Sequence, residues 1–230
     1  MNAREVALRI LVAHEKEQGY INLSLKEGLH NNPLSDVDRG FVTELVYGVV
    51  KNRLTIDYWV DSFSKVKRNK MSPHIVQILR LGVYQVYYLD KIPPSAAVNE
   101  CVKLAKTYGH QASASFVNGL LRNFLRSIDN LPMPSCDKAH TTYLSVKYSH
   151  PEWLVKRWLK QFGKVFTEAL LEGNMLLPQT TIRVNTLKTT AEQLALKLQE
   201  EGFEVTPGKH SDYALMLSHS GNLERTKAFE

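Results

Sequence analysis

The chain has 230 residues, 43% of them hydrophobic, with a formal net charge of +6 and a pI near 9.2. That length suits one large domain or two small ones, and the basic balance favours an anionic partner. No run of about 18 apolar residues occurs, so no membrane span is expected. The opening Met1-Asn2-Ala3-Arg4-Glu5 has no apolar signal segment, and two cysteines are too few for a disulfide framework, which points to a reducing cytoplasm.

In chain order, residues 3–17 read as an amphipathic helix, with Val6, Ala7, Ile10 and Leu11 on one face and Arg4 and Arg9 off it. A short helix over 22–29 follows. Ser35 or Asp36 caps the next, in which Phe41, Val42, Leu45, Val46, Val49 and Val50 repeat every four residues to about Lys51. A further helix carries Leu54, Ile56, Trp59, Val60 and Phe63. The loop after it holds four cations in six residues, Lys65, Lys67, Arg68 and Lys70, suited to gripping phosphates or simply solvated.

The stretch from Ser72 to Arg126 organises the rest. Ser72 is a helix cap and Pro73 suits the first helical position. Ile75, Val76, Ile78, Leu79, Leu81, Val83 and Val86 make the helix apolar nearly all round, which marks a central, buried helix. Asp90-Lys91-Ile92-Pro93-Pro94 breaks it. A second helix runs to about Tyr108 with Val98, Cys101, Val102 and Ala105 as its core face, and a third runs from about Gln111 to Arg126. Arg122 and Arg126 on the third, with Lys103 and Lys106 on the second, can form one basic face; ordinary solvent-facing residues, or Asn118 and Arg122 closing helix-end hydrogen bonds inside the bundle, would look the same. Gly119 lies mid-helix, where glycine costs about 1 kcal/mol against alanine, and so predicts a close approach of a neighbouring helix, favoured over that of a ligand. Cys101 reads as a buried small hydrophobe, and Cys136 as incidental, with no base beside it.

Residues 1–130 hold 17 Lys and Arg against 12 Asp and Glu, so five of the six net positive charges fall there. The predicted organisation is an all-α bundle over 1–130, a proline-bearing linker over 131–138, and a small α+β domain over 139–230. In the last part, helices are expected at about 139–147, from Pro151 to Phe162 and over 165–172. Thr180-Thr181-Ile182-Arg183-Val184-Asn185 alternates as a strand, on which Arg183 and Asn185 point the same way. Thr189 or Thr190 caps a helix that Gly202 ends, and 203–206 and 213–217 read as two more strands. No phosphate-binding Gly-rich loop, no Cys-x-x-Cys and no helical pair of metal-spaced histidines is present in the sequence.

Ile92-Pro93-Pro94-Ser95-Ala96-Ala97-Val98-Asn99-Glu100, followed by Phe116-Val117-Asn118-Gly119-Leu120-Leu121-Arg122, resembles the antitermination-factor NusB domain. More closely it resembles the NusB-like N-terminal domain of bacterial small-subunit ribosomal RNA cytosine-C5 methyltransferases, the RsmB/Sun family. Tyr148-Ser149-His150-Pro151-Glu152-Trp153 and Thr181-Ile182-Arg183-Val184-Asn185-Thr186-Leu187-Lys188 are similar to segments that precede the catalytic domain in that family. The resemblance implies an RNA-binding front part that orients 16S ribosomal RNA for a Rossmann-like domain, which binds S-adenosylmethionine and carries two catalytic cysteines. Those motifs are not in this sequence, so residues 1–230 are expected to hold no cofactor, to be inactive alone, and to stop where a further element begins, at 222–230. RNA contacts are expected from Lys65, Lys67, Arg68, Lys70, Lys103, Lys106, Arg122, Arg126, Arg183 and Asn185, with a monomer favoured. A stand-alone NusB-like antitermination regulator is the alternative, and it leaves 139–230 unexplained.

Overall fold

The computed structural model describes residues 2–218, 223 and 226–229. They form two compact units, residues 1–172 and 173–230.

The first unit is helical. α1 (Ala3–Glu17), α2 (Ile21–His30), α3 (Asp36–Lys51) and α4 (Arg53–Phe63) lead to a 3-10 turn at Arg68–Lys70. α5 (Pro73–Tyr88), α6 (Pro94–Tyr108) and α7 (Gln111–Arg126) follow. The starts match their capping chemistry. The side chains of Asn2, Ser35, Ser72 and His110 accept from backbone N–H groups of the first turns. Every residue of α5 from Ile75 to Val86 is buried. Around it pack Leu8 and Leu11 of α1, Leu45 and Val46 of α3, Ile56 of α4, Cys101 of α6, and Leu121 and Phe124 of α7. α1 is more deeply enclosed than its single apolar face predicts, since Leu8 and Val12 are buried as well.

Two close approaches fix the spacing around α5. A Cβ on Gly48 would fall inside the Tyr84 ring, and one on Gly82 would lie 2.6 Å from Leu121 Cδ1. Gly119, by contrast, has nothing within 4 Å of its absent Cβ. The close approach expected there falls at Gly82, because α7 meets α5 through Leu121 and turns Gly119 outward.

α8 (His140–Lys147) and α9 (Glu152–Asn174) complete the helical part, and they belong to the first unit, so the compact units part at Gly173, later than the linker at 131–138. The proline stretch is held down: Trp59 Nε1 donates to the Pro132 carbonyl at 3.2 Å. α8 is tied to α4, with Thr55 Oγ1 donating to the Val146 carbonyl and the Leu54 N–H donating to Ser149 Oγ at 3.1 Å. α9 breaks at Gly163, whose φ of 75° and ψ of 176° lie outside helical space. The two helices expected on either side of Gly163 are therefore distinct segments.

The second unit holds β1 (Thr180–Arg183), α10 (Ala191–Glu200), β2 (Glu204–Pro207) and β3 (Ala214–Ser218). The sheet order is β1-β3-β2, antiparallel throughout, with Ile182 opposite Leu215 and Val205 opposite Leu217. One face of the sheet packs Leu215 and Leu217 against Leu194 and Leu198 of α10. Thr190 and Gln193 close a capping box at the start of α10. β1 ends at Arg183, so Asn185 lies in the turn beyond the strand: its Oδ1 accepts from the Leu187 N–H at 3.1 Å and its carbonyl accepts from Lys188 and Thr189. An Asx turn competes with the ladder at that point. The element expected to begin at 222–230 falls largely outside the described residues.

Candidate nucleic-acid interface

Arg80 sits in the apolar α5 and is 4% exposed. A charge so placed must be paired and hydrogen-bonded. Arg80 Nε and Nη2 donate to the two carboxylate oxygens of Asp57 at 2.7 and 2.9 Å, and Nη1 reaches Glu15 at 2.8 Å. Arg68 enters the same network, forking onto Asp61 at 2.8 and 2.9 Å and contacting Asp57. Desolvation alone would lower the Arg68 pKa. The hydrogen bonds it donates to Asp61 and the charge of Asp57 outweigh it and hold the guanidinium above its ordinary range. Asp57 thus binds α4, α5 and the basic loop together.

The four loop cations consequently differ in role. Lys65, Lys67 and Arg68 line a shallow cavity of about 460 Å³ with Asp61, Ser64 and Asn69. Arg68 is committed to Asp57 and Asp61, while Lys65, Lys67 and Lys70 stand on the loop that it anchors. Sequence reasoning treated the four as equivalent and missed Asp57. The signal was the arginine in the middle of an apolar helix, which demands a buried acid.

The α6 and α7 cations divide as well. Arg122 and Arg126 of α7 line a cavity of about 370 Å³ with Ser95 and Asn99 of α6. Arg122 Nε donates to Asn118 at 2.9 Å and Arg126 Nη2 to Asn123 at 3.3 Å, contacts that hold both guanidinium groups along their own helix. Lys103 and Lys106 do not line that cavity, and Lys103 pairs with Glu100 at 2.6 Å.

In the second unit the structure brings Arg183 and Asn185 together. Both border a cavity of about 500 Å³ and an adjoining one of about 460 Å³ that includes Tyr213. The larger cavity also collects Lys188, Lys197 and Lys227, three cations that sequence reasoning did not select. They come from a turn, from α10 and from the 226–229 segment, and no local spacing links them.

Among the described residues no group of three His, Cys, Asp or Glu side chains is placed to hold a metal ion, and no helix is long and apolar enough to cross a membrane. Cys101 is fully buried, and desolvation pushes its thiol up to about 12. Cys136 is exposed, and it does have a base beside it: His140 Nδ1 lies 3.5 Å from its sulfur. A turn closed by the Ala139 N–H on the Ser135 carbonyl at 2.9 Å brings the two side chains together, a contact that reading the stretch as a plain linker did not anticipate.

Residues 1–126 match the model of the NusB family. The chain belongs to the NusB family. Beyond that NusB domain, residues 150–224 match the RsmF/B-like methyltransferase ferredoxin-like domain. The probable ribosomal RNA small subunit methyltransferase B of Bacillus subtilis (strain 168) is 38% identical over 229 residues, covering 100% of this chain and 50% of that protein. The transcription antitermination protein NusB of Acetivibrio thermocellus is 35% identical over 120 residues, covering 52% of this chain and 83% of that protein. The crystal structure of PH0851 superimposes with a TM-score of 0.68 at 20% identity, covering 100% of this chain and 51% of that one, and shares the fold of the NusB domain and the unit that follows it. The chain spans about half the length of the methyltransferase relatives it matches.

Proposed function

We propose that this chain is the RNA-binding front part of a cytoplasmic, S-adenosylmethionine-dependent 16S ribosomal RNA cytosine-C5 methyltransferase. The observation that carries the reading is the tandem match: a NusB domain over 1–126 and an RsmF/B-like ferredoxin-like domain over 150–224, in a chain 38% identical end to end to half of a ribosomal RNA methyltransferase. An antitermination protein accounts for the first match only, since the NusB relative covers 52% of the chain.

S-adenosylmethionine supplies an electrophilic methyl group on a sulfonium. The residues present do not fit it. The larger cavity of the second unit is lined by Arg183, Lys188, Lys197 and Lys227, with no described carboxylate to face a sulfonium or hold ribose hydroxyls. The role proposed for this chain is to bind and orient RNA. Lys65, Lys67, Lys70, Lys103, Lys106, Arg122 and Arg126 are proposed to contact phosphates from the NusB domain, and Arg183 and Asn185 from the second unit. Arg68 serves chiefly by holding the 64–70 loop on Asp57.

The test is bisulfite sequencing of small-subunit ribosomal RNA before and after deletion of the gene. Loss of one protected cytosine is the expected result; an unchanged pattern overturns the reading.

A further inference from the structure

Residues 173–230 carry six Lys and Arg against seven Asp and Glu, so the second unit is not basic as a whole. Yet four of those six cations, Arg183, Lys188, Lys197 and Lys227, border one cavity, and none of the described carboxylates does. Concentrating like charges costs Coulomb energy, and in a unit with more acids than bases it marks a place where an anion belongs. Glu201 lies nearby and is engaged with the backbone instead. Its carboxylate accepts from the Lys227 and Ala228 N–H groups at 3.2 and 3.3 Å, which fixes the segment carrying Lys227 against the end of α10.

The cavity is also half apolar. Leu194, Leu198 and Leu223 line it, and Phe229 stands at its edge with 66% of its surface exposed. Its volume of about 500 Å³ lies within the range that encloses a small organic ligand. With Oδ1 taken by the Leu187 N–H, Asn185 offers the cavity its two Nδ2 donors. Cations for a phosphate, an amide donor for a base edge and an aromatic and aliphatic wall for a base face are the complement of one nucleotide whose base is out of its stack. A duplex presents the phosphates without the base faces.

We propose that this cavity is a subsite for a single unpaired nucleotide of RNA, with its phosphate held by Lys197, Lys227 and Arg183 and its base laid against Phe229 and the leucine wall. The inference rests on the RNA-binding reading above and assigns Lys197, Lys227 and Phe229, which that reading does not use.

The test is fluorescence anisotropy of the 230-residue chain with a labelled eight-nucleotide single-stranded RNA and a labelled twelve-base-pair RNA duplex, each titrated at several salt concentrations. Lys197→Ala with Lys227→Ala is expected to weaken single-strand binding at least tenfold and to flatten its salt slope by about 1.4, two phosphate contacts at about 0.7 each. Phe229→Ala is expected to weaken it about fivefold or more with the slope unchanged, the signature of lost stacking. Duplex binding should change less than about twofold in both, and Lys197→Arg with Lys227→Arg should retain the wild-type slope. Equal losses on both RNAs, or no loss on either, overturn the subsite. If only Lys65→Ala, Lys67→Ala and Lys70→Ala together weaken binding, the RNA-binding reading stands and the subsite falls. If the wild-type chain binds neither RNA, both fall.

Discussion

The two cysteines show how one residue type takes opposite characters from its surroundings. Cys101 lies under α5 with its thiol pushed up to about 12 by burial, whereas Cys136 is exposed beside His140. Iodoacetamide at pH 8 should therefore add one carbamidomethyl group, on Cys136, by mass spectrometry, and a second only after denaturation. The same burial sets a pH dependence. A thiol whose folded pKa lies above its unfolded value stabilises the fold fully below about pH 9 and loses that contribution as pH rises towards 12. Cys101→Ala should remove that part of the alkaline loss in urea midpoints compared at pH 8 and pH 10.5. Arg80 is the other decisive residue. Arg80→Met leaves the buried Asp57 with only the more exposed Arg68 and Arg53, and is expected to cost about 3–5 kcal/mol in urea unfolding. Arg80→Met combined with Asp57→Leu should recover part of that loss, because the buried carboxylate that has lost its forked partner is gone.

Helix packing decides what each glycine is for. Gly82→Ala places a methyl 2.6 Å from Leu121 Cδ1 and 3.3 Å from Cys101 Sγ, and should destabilise by about 1–3 kcal/mol through overpacking where α5 meets α7 and α6. Gly119→Ala meets nothing and should stabilise by about 0.5–1 kcal/mol through helix propensity. Thermal melts of the two variants check both signs, and a destabilised Gly119→Ala would contradict the outward placement of that residue. Most helix boundaries were legible beforehand because they depend on local chemistry: Ser35 and Ser72 cap α3 and α5, Pro73 and Pro94 open α5 and α6, and Thr190 caps α10. The end of β1 was not, since an Asx turn at Asn185 competes with strand pairing that depends on β3, thirty residues on.

At the scale of the whole chain, the compact units divide at Gly173, and the 131–138 stretch is held by the Trp59 indole. Limited digestion with subtilisin, which cuts at exposed chain with little regard to residue type, is expected to cut first between 174 and 179, where Leu176 and Leu177 are exposed between α9 and β1. N-terminal sequencing of the fragments identifies the site, and a first cut at 131–138 would show that the proline stretch is the looser connection.

The sequence by itself determined the helical frame of residues 1–130, the burial of α5, the β-α-β-β order of the second unit and the family, because periodicity, caps and motif residues are local. Only the tertiary structure decided the roles of the charges. Arg68 is diverted to a buried aspartate, Gly119 turns outward while Gly82 sits in the tight contact, and Lys188, Lys197 and Lys227 converge with Arg183 from separate segments. Pairing and convergence depend on distances through space between residues far apart in the chain, and no spacing along it encodes them.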